Sequence, residues 1–182
     1  MSLRRSALVA AAAAACFASA AAPASAALAG CEAFKSAFAR DATGFGPAFV
    51  EPVIVSASGA ARGGVFDLRS PSGVNGTLEC AGAEFLRFEL RIPLPAAADG
   101  AKAFDAMQVA TLHAALGWNA ARISATLSRM NAEAQDYLRA SKQRGDVYYA
   151  GKTESHEPGG VSLGLIYTDG DRALIVVGPA AQ

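Results

Sequence analysis

"EFLRFELRI", Glu84 to Ile92, decides the fold. Leu86, Phe88, Leu90 and Ile92 alternate with Arg87, Glu89 and Arg91. A period of two sends one set of side chains to a core and the other to water. The stretch is therefore expected to be a strand of an antiparallel sheet that is covered on one face only. Its nearest partner is "GTLECA", Gly76 to Ala81, across a small loop at Ala81-Gly82-Ala83, and Leu78 and Cys80 take the matching inward positions. Arg87, Glu89 and Arg91 are then expected to pair across strands on the wet face, for instance with Glu79.

Upstream, "GGVFDLR" reads as another strand, with Phe66 and Leu68 on one face. "FVEPVIVSAS" reads as a further one, where Pro52 suggests an edge position or a start near Val53. Before these, "CEAFKSAFARDA" has helical spacing, with Cys31, Phe34 and Phe38 on one face, and "TGFGP" ends it. Downstream, Asp99 is expected to cap a helix from Gly100 to Gly117 with Phe104, Met107, Leu112, Ala115 and Leu116 as its apolar stripe. A second helix is expected from Asn119 to Arg144, on the spacing of Ile123, Leu127, Met130, Ala134, Tyr137 and Leu138. Gly145 suits its C′ position. Three strands close the chain: "DVYYAGKTE", then after a turn at "HEPGG" the segment "VSLGLIYT", then "RALIVV" beyond an Asp169-Gly170 hairpin turn. Because Leu174 to Val177 is apolar on both faces, that last strand is expected inside the sheet. The fold class is α+β: a largely antiparallel sheet of six to seven strands against an N-terminal helix and a central helix pair.

The N-terminus carries Arg4 and Arg5, an apolar run from Leu8 to Ala22, and Ala24-Ser25-Ala26. This is the layout of a secretory signal peptide cleaved after Ala26. Residues 27–182 are then one domain. Taking 26 residues from 182 leaves 156, and taking Arg4 and Arg5 from 16 basic residues leaves 14 against 16 acidic ones, a net charge of −2. That balance gives no electrostatic footprint for nucleic acid and no polybasic membrane patch. A periplasmic or secreted location follows as an expectation, and the Ala-rich leader has a bacterial composition.

Cys16 leaves with the leader, so Cys31 and Cys80 remain, and two cysteines in an exported domain are expected to form one disulfide. "LAGC", Leu28 to Cys31, also looks like the lipobox of bacterial lipoproteins, which would make Cys31 the lipid-bearing first residue. Pro23 and Ser25 separate the apolar run from that Leu. A lipidated Cys31 would also leave Cys80 without a role, so the disulfide is the expected state.

No P-loop and no dinucleotide-binding glycine pattern occurs, and no cofactor is implied. "GVSLG", Gly160 to Gly164, matches a nucleophile elbow in letters only. Ser162 is followed by a strand and not a helix, and no histidine comes after it. His113 and His156 are the only histidines, and "HEPGG" lacks the second His of a zinc motif. "TDGDR" has too few acids for a calcium loop and reads as a turn. "NGT" at Asn75 matches a glycosylation acceptor and reads more simply as a turn. Trp118, Tyr148, Tyr149, Tyr167 and Phe85 are candidate pocket aromatics.

Three functions stay open on the sequence. One is a non-catalytic envelope domain binding a protein, cell-wall component or small molecule. Another is a hydrolase-like enzyme using His113 or His156 with carboxylates such as Glu154 and Glu157. The last is a structural or lipid-anchored envelope protein. They differ in whether a pocket exists and whether titratable groups converge in it.

Overall fold

A computed structural model describes residues 28–50, 64–146 and 150–179. Helix α1 (Cys31–Asp41) leads into a short 3-10 turn, then strands β1 (Ala48–Val50), β2 (Val65–Arg69), β3 (Asn75–Ala81) and β4 (Glu84–Pro93). Helices α2 (Ala98–Leu116) and α3 (Ala120–Arg144) follow. Strands β5 (Ala150–Glu157), β6 (Val161–Thr168) and β7 (Asp171–Val177) complete the order. All strands join one antiparallel sheet in the order β1-β2-β3-β4-β7-β6-β5. The fold is α+β, as the sequence predicts. The strand that begins at "EFLRFELRI" is the middle one of the seven, where two meanders meet.

One face of the sheet carries Leu68, Leu78, Phe88, Leu90, Leu163, Leu165, Leu174 and Val176, all buried under the helices. On the other face of β3, β4 and β7, charges form a ladder. Arg87 pairs with Glu79 at 3.9 Å and Glu89 at 2.7 Å, and Arg91 pairs with Glu89 and Asp171. β7 lies inside the sheet as expected, yet Ile175 and Val177 on the open face are not fully covered. Its apolar run reflects an inner position without burial on both sides.

The alternation of β4 breaks at one end. Glu79 pairs with Arg87 but Cys80 pairs with Phe85, so Leu86 is an extra residue on β4. This bulge turns Phe85 inward, where it is buried, and leaves Leu86 half-buried. Phe85 then meets Phe34 at 5.0 Å between ring centroids, in a cluster with Phe38, Phe49 and Phe88. Helix α1 lays Cys31, Phe34 and Phe38 into this cluster, and Cys31 is disulfide-bonded to Cys80 with Cα atoms 6.1 Å apart.

Helix α2 starts at Ala98, with Ala97 as N-cap and no side-chain capping bond. Asp99 does not cap it. The acid sits inside the first turn, where it faces the positive end of the helix dipole instead. Asn119 caps α3 by accepting from the Arg122 N–H, and Gly117 and Gly145 end the two helices in the left-handed conformation. Tyr137 departs from its expected place and is 59% exposed. Tyr137 and Leu138 are neighbours on α3, and one helix face admits only one of them. The inward line runs through Ala134 to buried Ser141, and it is Leu138 that packs against the core there. Strand β5 extends through His156 and Glu157, so the turn is only Pro158–Gly160. Val147, Tyr148, Tyr149 and most of "FVEPVIVSAS" lie outside the described residues; β1 is an edge strand, as Pro52 suggests.

Several carboxylates are held below their ordinary range. Burial pushes Asp41 up, but hydrogen bonds from Arg40 and from His113, whose Nδ1 lies 2.6 Å away, outweigh it. Glu133 is lowered by the Thr153 hydroxyl and Arg129, Asp146 by Ser141 and Arg144, and Glu154 by Lys152. A carboxylate with a depressed folded pKa contributes stability above its unfolded value, near 4, and that contribution is lost as pH falls through the folded value. Urea midpoints are expected to hold steady from about pH 7 to 5 and to drop below about pH 4. Asp41→Asn should soften that drop; an unchanged acid limb in this variant would refute the assignment.

Candidate functional site

Helix α3 carries three parallel stripes at the same i, i+4, i+7, i+11 spacing. Ile123, Leu127, Met130 and Ala134 are buried against the sheet. On one flank, Arg122, Arg129 and Glu133 grip the edge strand β5. Arg122 reaches Glu157 at 2.9 Å, Arg129 reaches Ser155 at 3.2 Å, and Glu133 accepts from Thr153. On the other flank, Ser124, Ser128, Asn131 and Gln135 are all uncharged hydrogen-bonding residues. They face α2 across a cleft of about 410 Å³.

Asp105, Gln108 and Val109 form the α2 wall of this cleft, and Tyr167 of β6 and Arg172 of β7 form its floor. The Tyr167 hydroxyl donates to Asn131 Oδ1. Burial raises the Tyr167 pKa against the lowering effect of Arg172, so the phenol stays protonated and remains a donor. The Arg172 guanidinium packs against two rings, 5.1 Å from the Phe104 centroid and 4.8 Å from that of Tyr167. Its contact with Asp105 is long, 3.4 Å. Two buried donors here have no partner: Gln108 Nε2, on a residue 2% exposed, and Arg172 Nε. Each such group costs on the order of 1–3 kcal/mol unless something accepts from it.

The titratable groups singled out in the sequence do not converge in the cleft. His113 lies on the helical side of the sheet and pairs with Asp41. His156 lies on the open face of β5. Glu154 is bound by Lys152 at 2.5 Å, and Glu157 by Arg122 and Ser155. His156 does meet Ser162: they are directly opposite in the β5–β6 register, and Nδ1 lies 2.9 Å from Oγ. Taking "HEPGG" wholly as a turn hides this pair in the sequence. It sits on an open strand face, and β6 is ladder-bonded on both sides, so its N–H groups are committed to the sheet and offer no oxyanion hole.

In "TDGDR" the Thr168 hydroxyl accepts from the N–H groups of Gly170 and Asp171, while Asp169 pairs with Lys142 and Asp171 with Arg91. Those contacts are the ones a turn needs. Among the described residues, no group of three or more His, Cys, Asp and Glu is placed to hold a metal, and no helix is long and apolar enough to cross a membrane.

Among the described aromatic candidates only Tyr167 reaches the cleft, and Tyr148 and Tyr149 lie outside the described residues. Phe85 is in the core cluster, and Trp118 is buried at the α2–α3 corner with Arg122 stacked 3.9 Å from its ring. Sequence reasoning missed Gln108, Asn131 and Arg172. The uncharged stripe at 124, 128, 131 and 135, beside the apolar one at 123, 127, 130 and 134, is the signal that could have pointed to α3. No protein-family model matches the chain, and no curated protein or solved structure matches it.

Proposed function

We propose that this chain is an exported, non-catalytic envelope domain that binds a small molecule in the α2–α3 cleft. The observation that carries this reading is the pair of buried, unpartnered donors, Gln108 Nε2 and Arg172 Nε, at a cleft large enough for a ligand. An acceptor from a ligand would satisfy both. The cleft holds one acid, Asp105, and no nucleophile hydrogen-bonded to a base, which favours binding over transformation. Export rests on the leader pattern and on the Cys31–Cys80 bridge, because disulfides persist in oxidising compartments. The bridge also occupies the thiol that a lipid anchor at Cys31 would need, which supports a periplasmic or secreted protein.

Native mass spectrometry on protein taken from its own envelope fraction tests the reading. The expected spectrum shows a co-purifying small molecule that is absent from the Ser128→Trp variant, whose indole would fill the cleft. A ligand-free protein, or a ligand equally retained by Ser128→Trp, would overturn it. The same preparation tests export: the expected mature chain starts at residue 27, with no added acyl mass.

A further inference from the structure

Resting on that reading of the cleft, we propose that its ligand is a small organic carboxylate, seated on Arg172 and Gln108, with uncharged hydrogen-bonding groups in its remainder. Arg172 is the cation of the cleft, and its side chain is only 19% exposed. Its guanidinium packs on the Phe104 and Tyr167 rings, so a ligand would meet it through the in-plane N–H groups that it shares with Asp105. The 3.4 Å contact with Asp105 is well beyond the 2.7–2.9 Å of a charge-assisted bond, and the Asp105 side chain is 63% exposed. The guanidinium is therefore largely withdrawn from water and only loosely neutralised, a state that favours capture of an anion.

Gln108 Nε2 adds a second buried donor, and a carboxylate has two oxygens with which to meet both. A neutral polyol would satisfy the donors but leave Arg172 with only its long contact to Asp105. A doubly charged phosphate would set two negative charges against one cation, with Asp105 nearby. A monocarboxylate adds the least negative charge beside the loosely held Arg172–Asp105 pair. The rest of the ligand would face Ser124, Ser128 and Gln135, which call for amides or hydroxyls and not for further charge.

Side-chain amide spectra of 15N-labelled protein test this directly, because Arg172 Nε–H and the Gln108 amide give their own signals. The probes are N-acetylalanine and lactate, each a monocarboxylate set against its neutral amide, with glucose as a neutral polyol. Both acids are expected to shift both signals and to bind at least about ten-fold tighter than their amides, the size of one charge-assisted hydrogen bond. Arg172→Lys keeps the charge and removes the fork, and it should cost the acids about ten-fold in affinity. Should that variant fail to fold, Gln108→Leu is read the same way. Amides or glucose binding as tightly as the acids, with the same signals moving, would overturn the carboxylate and leave the cleft as a binding site. If no probe moves either signal, the carboxylate is again overturned, and the native spectrum alone decides the cleft.

Discussion

Removing the Cys31–Cys80 bridge is expected to destabilise the domain by about 4 kcal/mol, from the loop-closure entropy returned to the unfolded chain over a separation of 49 residues. The geometry explains why the loss would be felt so widely. The bridge ties the first residue of α1 to the end of β3, and the Cys31 N–H donates to Ala83 O in the adjacent β3–β4 turn at 2.9 Å. Three residues on, Phe34 packs edge-to-face on Phe85 and lies 4.9 Å from Phe88. A freed α1 would have to hold that aromatic cluster by burial alone. Urea unfolding of the oxidised protein, the reduced protein and the Cys31→Ser/Cys80→Ser double variant measures the effect. Both reduced forms should lose stability alike, and a loss under about 1 kcal/mol would show that the chain-entropy account fails here.

The same corner shows what a sequence can and cannot disclose. Cys31, Phe34 and Phe38 share a helix face, and Leu78 and Cys80 share a strand face. Each pattern is a local periodicity, so the meeting of the two thiols could be anticipated. The bulge at Leu86 could not. It depends on which residues of β3 and β4 face one another, and "EFLRFELRI" alternates cleanly without it. The cleft was hidden for a related reason. Its parts come from α2, α3, β6 and β7, and only the sheet order brings β7 in beside β4 and sets Arg172 under the gap between the helices. Gln108 reads as one polar residue on an apolar helix. Its meaning lies in having no partner, which periodicity does not report. Ser162 and His156 became neighbours only when the strand absorbed His156 and Glu157 from the expected turn.

Gly151→Ala is expected to cost about 3 kcal/mol and to loosen the α2–α3 cleft from a distance. A Cβ built at Gly151 falls 1.8 Å from the carbonyl oxygen of Ala134, 2.8 Å from its carbon and 3.0 Å from Leu138 Cβ. The obstacle is helix backbone, so no side-chain rotation relieves it, and α3 must lift away from β5. Lifting it would strain the contacts of Glu133 with Thr153, Arg129 with Ser155 and Arg122 with Glu157 along the same seam. It would also move the opposite flank of α3, where Ser124, Ser128, Asn131 and Gln135 line the cleft. Gly164→Ala is the matched control one strand over: its Cβ would meet only Ile175 Cβ at 3.7 Å, an ordinary contact, and stability should change by less than about 0.5 kcal/mol or rise slightly. Urea midpoints give the first readout for both variants. Affinity for the proposed probe N-acetylalanine, measured where Gly151→Ala is still fully folded, gives the second. A variant that loses stability but binds normally would mean the cleft is set by the α2–α3 corner alone. Loss of both would mean that the seam with β5 holds α3 at the angle the cleft requires.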